Sequence, residues 1–89
     1  MDFINLPIDV IATFNSIGII KPLHFRMEDE NHILKTLTIS EVLSQKEEKY
    51  AANPMISYIC KINLCEEMKF CEIKYNIITH RWKLSQISN

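Results

Sequence analysis

The stretch from Pro54 to Ile87 decides the fold of this chain and reads PMISYICKINLCEEMKFCEIKYNIITHRWKLSQI. Apolar and polar residues alternate in three of its segments, Met55 to Asn63, Lys69 to Asn76 and Arg81 to Ile87. Alternation with a period of two is typical of strands that bury one face, and short turn-like interruptions separate the segments. The stretch therefore predicts a three-stranded antiparallel meander.

The register of this meander follows from its apolar residues. A four-residue loop over 64–67 brings apolar residues of the first two strands opposite one another: Ile56 and Tyr75, Tyr58 and Ile73, Cys60 and Cys71. A tight turn around Thr79 and His80 then pairs Ile77 with Trp82 and Tyr75 with Leu84. All three strands would share one buried face, and its largest side chains would be Tyr58, Tyr75 and Trp82.

A hairpin is predicted upstream, after a lead-in segment at Met1 to Pro7. Strands are expected over 8–14 and from Ile19 to about Arg26, because their apolar residues again alternate. Asn15 to Gly18 provides the turn, since Gly18 can adopt a positive φ. A four-residue loop places Asp9 opposite His24. Pro22 cannot donate a ladder hydrogen bond, so the second strand should be an edge or bulged there.

The middle of the chain predicts one further strand and a short helix. His32 to Ile39 is rich in Thr and Ile and is the third strand candidate. Ser44 and Glu47 match a capping box, which predicts a polar surface helix from Ser44 to about Ala52. The expected fold is mainly β: a six-stranded antiparallel meander that forms a curled sheet or a small partly open barrel, with this helix between strands 3 and 4. One domain is expected over residues 1–89, with its core in 8–87.

The chain resembles a family of short uncharacterised bacterial proteins of unknown function. The resemblance lies in Ile20 to Arg26 (IKPLHFR), Val42 to Glu48 (VLSQKEE) and Glu72 to Tyr75 (EIKY) with Trp82, and it covers most of the chain from Ile8 onward. A glycine usually stands in that family where this chain has Ala52. The resemblance implies a β-rich single domain and carries over no catalytic residue.

Composition limits the classes of function. The formal net charge of −1 argues against a protein that binds nucleic acid by neutralising many phosphates, so such a partner is not expected. No apolar run is long enough for a membrane helix. A signal peptide would require a positively charged N-terminal region, but no Lys or Arg precedes Lys21. The expectation is a cytoplasmic protein without a membrane partner. Its three cysteines are then expected to be reduced thiols.

The nearest approach to a metal site is the set Cys60, Cys65, Cys71 and His80. Zinc requires soft ligands that converge, but the spacing of these cysteines does not match a zinc knuckle. Cys60 and Cys71 can instead be small core residues, which is the usual place of free cysteines, and Cys65 would be the exposed thiol. No metal and no cofactor are therefore predicted, although a redox or metal role for the facing pair stays open.

Two other groups of residues resemble catalytic or ligand sites. Asp9 opposite His24 would be half of a catalytic triad, but no suitable serine is evident, and a surface ion pair between neighbouring strands is the favoured explanation. The acidic run from Glu28 to Glu30 lacks the alternating ligands and turn glycine of a calcium loop, so a solvated loop is expected. No catalytic residue is predicted.

One mixed aromatic and basic surface is predicted on the outer face of the meander. It contains Lys61, Phe70, Lys74 and Lys83. The first functional hypothesis is a non-enzymatic protein-interaction module or subunit, whose partner is another protein or a second copy bound through a strand edge. The alternative is a small single-stranded nucleic-acid binder that uses this patch. An enzyme, requiring Asp9, His24 and a hydroxyl to converge, comes third.

Overall fold

Six antiparallel strands in sequential order close into a small barrel in the computed structural model, which describes residues 2–29, 31–50 and 53–88. The strands are β1 (Asp2–Phe14), β2 (Ile20–Glu28), β3 (Leu34–Tyr50), β4 (Asn53–Leu64), β5 (Glu67–Asn76) and β6 (Trp82–Ser88). The predicted mainly β, six-stranded antiparallel fold is confirmed. No helix long and apolar enough to cross a membrane occurs within the described residues.

The β4–β5 hairpin has the predicted register. Cys60 faces Cys71 and Tyr58 faces Ile73, so the apolar faces of both strands coincide. The ladder continues to Leu64 and Glu67, and the turn is only the two residues Cys65 and Glu66. Both have positive φ, 53° and 65°, as a two-residue turn that follows the twist of the strands requires.

The β5–β6 pairing differs from the prediction by two residues. Tyr75 pairs with Trp82 rather than Leu84, because β5 ends at Asn76 and a loop over 77–81 follows. The Oδ1 of Asn76 accepts hydrogen bonds from the backbone N–H groups of residues 78 and 79, which stabilises this longer turn. A shift by two keeps the same face, so Leu84 is still fully buried.

The β1–β2 hairpin corrects a second predicted register. Asp9 pairs with Arg26, whereas His24 pairs with Ile11, so the expected Asp9–His24 pair is wrong. The loop is one residue longer than predicted, and a bulge follows Pro22. The prediction of a bulge or edge at Pro22 is confirmed, as is the left-handed conformation of Gly18, whose φ is 85°.

Barrel closure involves the segment predicted as a lead-in. Asp2 already belongs to β1, and the first part of this strand pairs with β6, including Pro7 opposite Lys83. The second part, from Asp9 onward, pairs with β2. This half of β1 pairs with β6 along one side and has no described ladder with β2 along the other. Pro7 therefore occupies an edge-like position, where proline is tolerated although it has no N–H to donate. The core therefore begins before Ile8.

The predicted helix over 44–52 does not form within the described residues. β3 continues to Tyr50 and pairs with β4 through Tyr50 opposite Asn53, while residues 51 and 52 lie outside the described residues. A helix starting at Ser44 would have had almost no apolar face to bury. A strand there instead pairs with the backbone of β4, so tertiary pairing overrides local helix propensity.

Side chains from all six strands fill the barrel. The fully or nearly buried apolar residues are Ile8, Phe25, Leu37, Ile56, Tyr58, Cys60, Ile62, Cys71, Ile73, Tyr75 and Leu84. Trp82 packs beside them, with its ring centroid 5.7 Å from that of Tyr58 and 4.7 Å from that of Tyr75. The interior is a packed core, and binding surfaces must lie on the outside or at the ends of the barrel.

Candidate binding surfaces

The predicted aromatic and basic patch lies on the outer face of the meander. Lys61 is directly opposite Phe70, and Lys74 is directly opposite Lys83. The two pairs do not adjoin each other, because the cross-strand row that contains Glu72 separates them. The patch is therefore two small groups on one face rather than one continuous basic surface.

Acidic residues neutralise part of this patch. The Nζ of Lys74 lies 3.5 Å from a carboxylate oxygen of Glu48 and 3.8 Å from one of Glu72, and the Lys74 side chain is only 18% exposed. Ser57 and Ser85 donate hydrogen bonds of 2.9 and 2.6 Å to Glu72. Lys74 thus lies among carboxylates that offset its charge, so it contributes little positive potential to a ligand.

The cysteines and His80 do not converge on a metal. Cys60 and Cys71 are buried in the barrel, whereas Cys65 is exposed at the β4–β5 turn as predicted. His80 lies at the other end of β5, where its Nδ1 is 2.7 Å from the hydroxyl of Tyr75. No cluster of three or more metal-ligating side chains occurs within the residues described.

The two buried cysteine side chains nevertheless contact each other across the β4–β5 hairpin. Cys71 donates a hydrogen bond to Cys60, and this bond together with burial raises the pKa of Cys71. The same bond lowers the pKa of Cys60. Both thiols are sealed from solvent, which keeps them from reacting with reagents that do not enter the core.

Asp9 and His24 have other partners than each other. The carboxylate of Asp9 accepts a 2.7 Å bond from the guanidinium of Arg26, and the Nδ1 of His24 lies 3.2 Å from the hydroxyl of Thr38. They line a shallow depression of about 270 Å³ on the outside of the β1–β2–β3 surface. The carboxylate does not orient the imidazole, so the geometry of a triad is not formed here.

The acidic run after β2 is organised as a turn. The Oδ1 of Asp29 accepts backbone hydrogen bonds from Asn31 and Ile33, and its Oδ2 lies 3.5 Å from the ammonium of Lys35. The hydrogen bond from Ile33 is the main reason that the pKa of Asp29 lies below its ordinary value. Glu30 lies outside the described residues. Asp29 thus closes the β2–β3 connection.

A large concave surface was not predicted from the sequence. An open groove of about 750 Å³ lies at the β1–β6 junction, and its lining combines aromatic, apolar and basic residues with the acidic Asp9: Pro7, Ile8, Asp9, Val10, Phe14, Tyr75, His80, Arg81 and Trp82. Tyr75 and Trp82 were predicted from the sequence as core residues and not as part of a binding surface. Tyr75 is indeed buried, but Trp82 is only partly buried and its remaining surface faces the groove.

A second cavity adjoins the first. It measures about 470 Å³, and more polar residues line it than the first: its lining is Asn5, Pro7, Asn53, Met55, Asn76, Thr79, Arg81, Trp82 and Lys83. Pro7, Arg81 and Trp82 line both cavities, so the two form one surface, which we call the Trp82 groove. The groove could not be predicted from local sequence, because barrel closure brings Pro7 beside Arg81 and Trp82.

Comparisons with known proteins add no family to this description. Neither protein-family models, nor curated proteins, nor solved structures give a match to this chain.

Proposed function

We propose that the protein is a non-enzymatic protein-interaction module that binds its partner with one apolar end of the barrel. The observation that carries this proposal is the exposure of large apolar side chains in the β1–β2 hairpin. Phe14 is 60% exposed, Ile17 79% and Ile19 50%. Clustered apolar side chains in water are typical of surfaces that another protein covers.

The β5–β6 turn extends the same apolar end. Ile78 in this turn is 66% exposed. Phe14 lines one groove together with His80 and Arg81, which shows that the hairpin and the turn are neighbours. We call the exposed apolar residues next to the tip of the β1–β2 hairpin and in this turn the apolar end; they are Phe14, Ile17, Ile19, Ile77 and Ile78.

The tip of the hairpin, residues 10–20, also carries no charged side chain. Between Asp9 and Lys21 the sequence contains no acidic or basic residue. A partner that covers this tip therefore takes no charged group out of water. Burying unpaired charges is costly, and charged residues are depleted at the cores of protein interfaces.

Closure of the barrel changes how a partner would bind. Every strand of the closed barrel has two neighbouring strands, although residues 39–50 of β3 pair with β4 alone and residues 2–8 of β1 with β6 alone in the described ladders. We favour binding through side chains over addition of a strand to an edge, because large apolar side chains are exposed at the apolar end. A second copy of the chain is one partner that could cover the apolar end.

The test compares two matched substitutions. Ile17→Ser removes an exposed isoleucine from the apolar end, and Ile33→Ser removes one that is 56% exposed in the β2–β3 connection at the opposite end. Sedimentation and affinity capture from the producing cells would measure self-association and partner binding. We expect Ile17→Ser alone to abolish the association. A monomer without partners, or equal effects of both substitutions, would contradict the proposal.

The outer-face patch supports the alternative less well. Lys61 and Phe70 do face each other, as an aromatic and basic platform would require. Lys74 is paired with carboxylates, however, and the net charge of the chain is −1. Fluorescence polarisation with oligonucleotides at low salt discriminates, because binding through this patch should weaken steeply with salt and with Phe70→Ser.

A further inference from the structure

We infer that the Trp82 groove binds an extended peptide segment of the partner in which a carboxylate side chain neighbours an apolar one. This inference rests on the proposed function and specifies the chemistry of the partner. It follows from the charges, the apolar surface and the amide groups that line the groove.

The charge balance of the groove favours an anion. Arg81 is exposed, and no carboxylate lies within ion-pair distance of it among the described residues. Lys83 lines the adjoining cavity. Asp9 is the acidic residue of the lining, and its carboxylate already binds Arg26 at 2.7 Å. A partner carboxylate would therefore meet Arg81 without a competing internal anion, and Arg can bind it with two parallel hydrogen bonds.

The first cavity offers a site for an apolar side chain. Its lining includes the apolar residues Ile8, Val10 and Phe14 and the exposed part of Trp82. This cavity also adjoins the apolar end, because Phe14 belongs to both. An aromatic or aliphatic side chain placed here would cover Phe14, which is otherwise largely in water.

The second cavity offers groups that can bind a peptide backbone. Asn5 and Asn53 each provide an amide with a donor and an acceptor. The Oδ1 of Asn76 already accepts two backbone hydrogen bonds, so its amide nitrogen remains as a donor. Neutral amides of this kind match the alternating N–H and C=O groups of an extended chain.

A single-stranded nucleic acid fits the same groove less well. The ring of Trp82 already packs against Tyr58 and Tyr75, which leaves less of it for stacking on a base. The lining has Arg81 and Lys83 as its permanently charged cations, fewer than binding a phosphate backbone normally uses. An oligonucleotide is therefore the competing outcome of the test.

The experiment uses Trp82 as its own reporter, because the chain contains a single tryptophan. The probes are a short peptide of alternating aspartate and phenylalanine, the same peptide with lysine in place of aspartate, and an oligothymidylate of equal length. Binding is followed by the change in tryptophan emission of the full chain. We expect the acidic peptide to bind about tenfold or more tightly than the lysine peptide, since it forms the charge-assisted contact with Arg81.

Substitutions locate the binding surface. Arg81→Gln should weaken the acidic peptide by about tenfold, whereas Lys61→Gln, which removes a cation of the outer-face patch, should change its affinity less than about twofold. Equal binding of the acidic and lysine peptides, tighter binding of the oligothymidylate, or no effect of Arg81→Gln would each overturn the inference. If the peptide experiment fails, the proposed interaction module is still tested by the comparison of Ile17→Ser with Ile33→Ser. The peptide inference and the proposed function can therefore fail separately.

Discussion

The hydroxyl of Tyr58 in β4 donates a 3.1 Å hydrogen bond to the backbone carbonyl of Ile20 in β2, a strand that is not its neighbour in the barrel. The bond crosses the interior, and Tyr58 has no solvent-exposed surface. It satisfies the only polar group of the largest buried side chain and ties the wall made by β4 to the opposite wall.

Tyr58→Phe should destabilise the fold by about 1 kcal/mol, because it removes this partly buried hydrogen bond. Denaturation in urea measures the loss in free energy of unfolding. The matched control is Tyr75→Phe, which removes a hydroxyl that bonds to the exposed His80 and should cost less. A larger loss in the control would show that the bond across the barrel does not have this role.

Stability should fall as the pH rises above about 10. Burial raises the pKa of Tyr58 from 10.0 to about 12, with smaller contributions from Tyr75 and Cys60. The folded state therefore holds the phenolic proton more tightly than the unfolded state. This contribution is complete below the unfolded pKa near 10 and is lost as the pH rises through the folded value near 12.

Urea midpoints measured across this range, together with tyrosinate absorbance, check the pH dependence. Tyr58→Phe is the control and should remove the part of the decline that Tyr58 causes. An unchanged profile in that variant would assign the decline to other groups.

Native thiol reactivity should be confined to Cys65. It is exposed, whereas Cys60 and Cys71 are buried and face each other in the core. A thiol reagent should modify one cysteine in the folded protein and all three after unfolding. Cys65→Ser should abolish the native reaction, and rapid native labelling that persists in this variant would contradict the sealed core.

Gly18→Ala should destabilise the β1–β2 hairpin by about 1 kcal/mol. The φ of Gly18 is 85°, a conformation that residues with a Cβ adopt at a cost, although no atom lies within 4 Å of an added Cβ. Gly18→Asn is the matched control and should cost less, since asparagine tolerates positive φ. Thermal unfolding measures both. Equal losses would indicate a cause other than backbone conformation.

Local pattern determined the β4–β5 hairpin of the C-terminal meander. The alternation from Met55 to Asn76 places one apolar face on each strand, and a shift by one residue would turn that face to water, so the register of β4 and β5 could be derived without coordinates. The bulge at Pro22 and the turn at Gly18 were equally local, because each depends on the backbone of a single residue.

Long-range pairing decided the remainder. Ser44 to Tyr50 has the local signal of a helix and becomes a strand because β4 offers a partner for its backbone. The Trp82 groove exists because closure of the barrel brings Pro7 beside Lys83, from opposite ends of the chain. Periodicity reports which face of a segment is buried. It does not report which distant segment will complete the sheet, and here that choice created the concave surface.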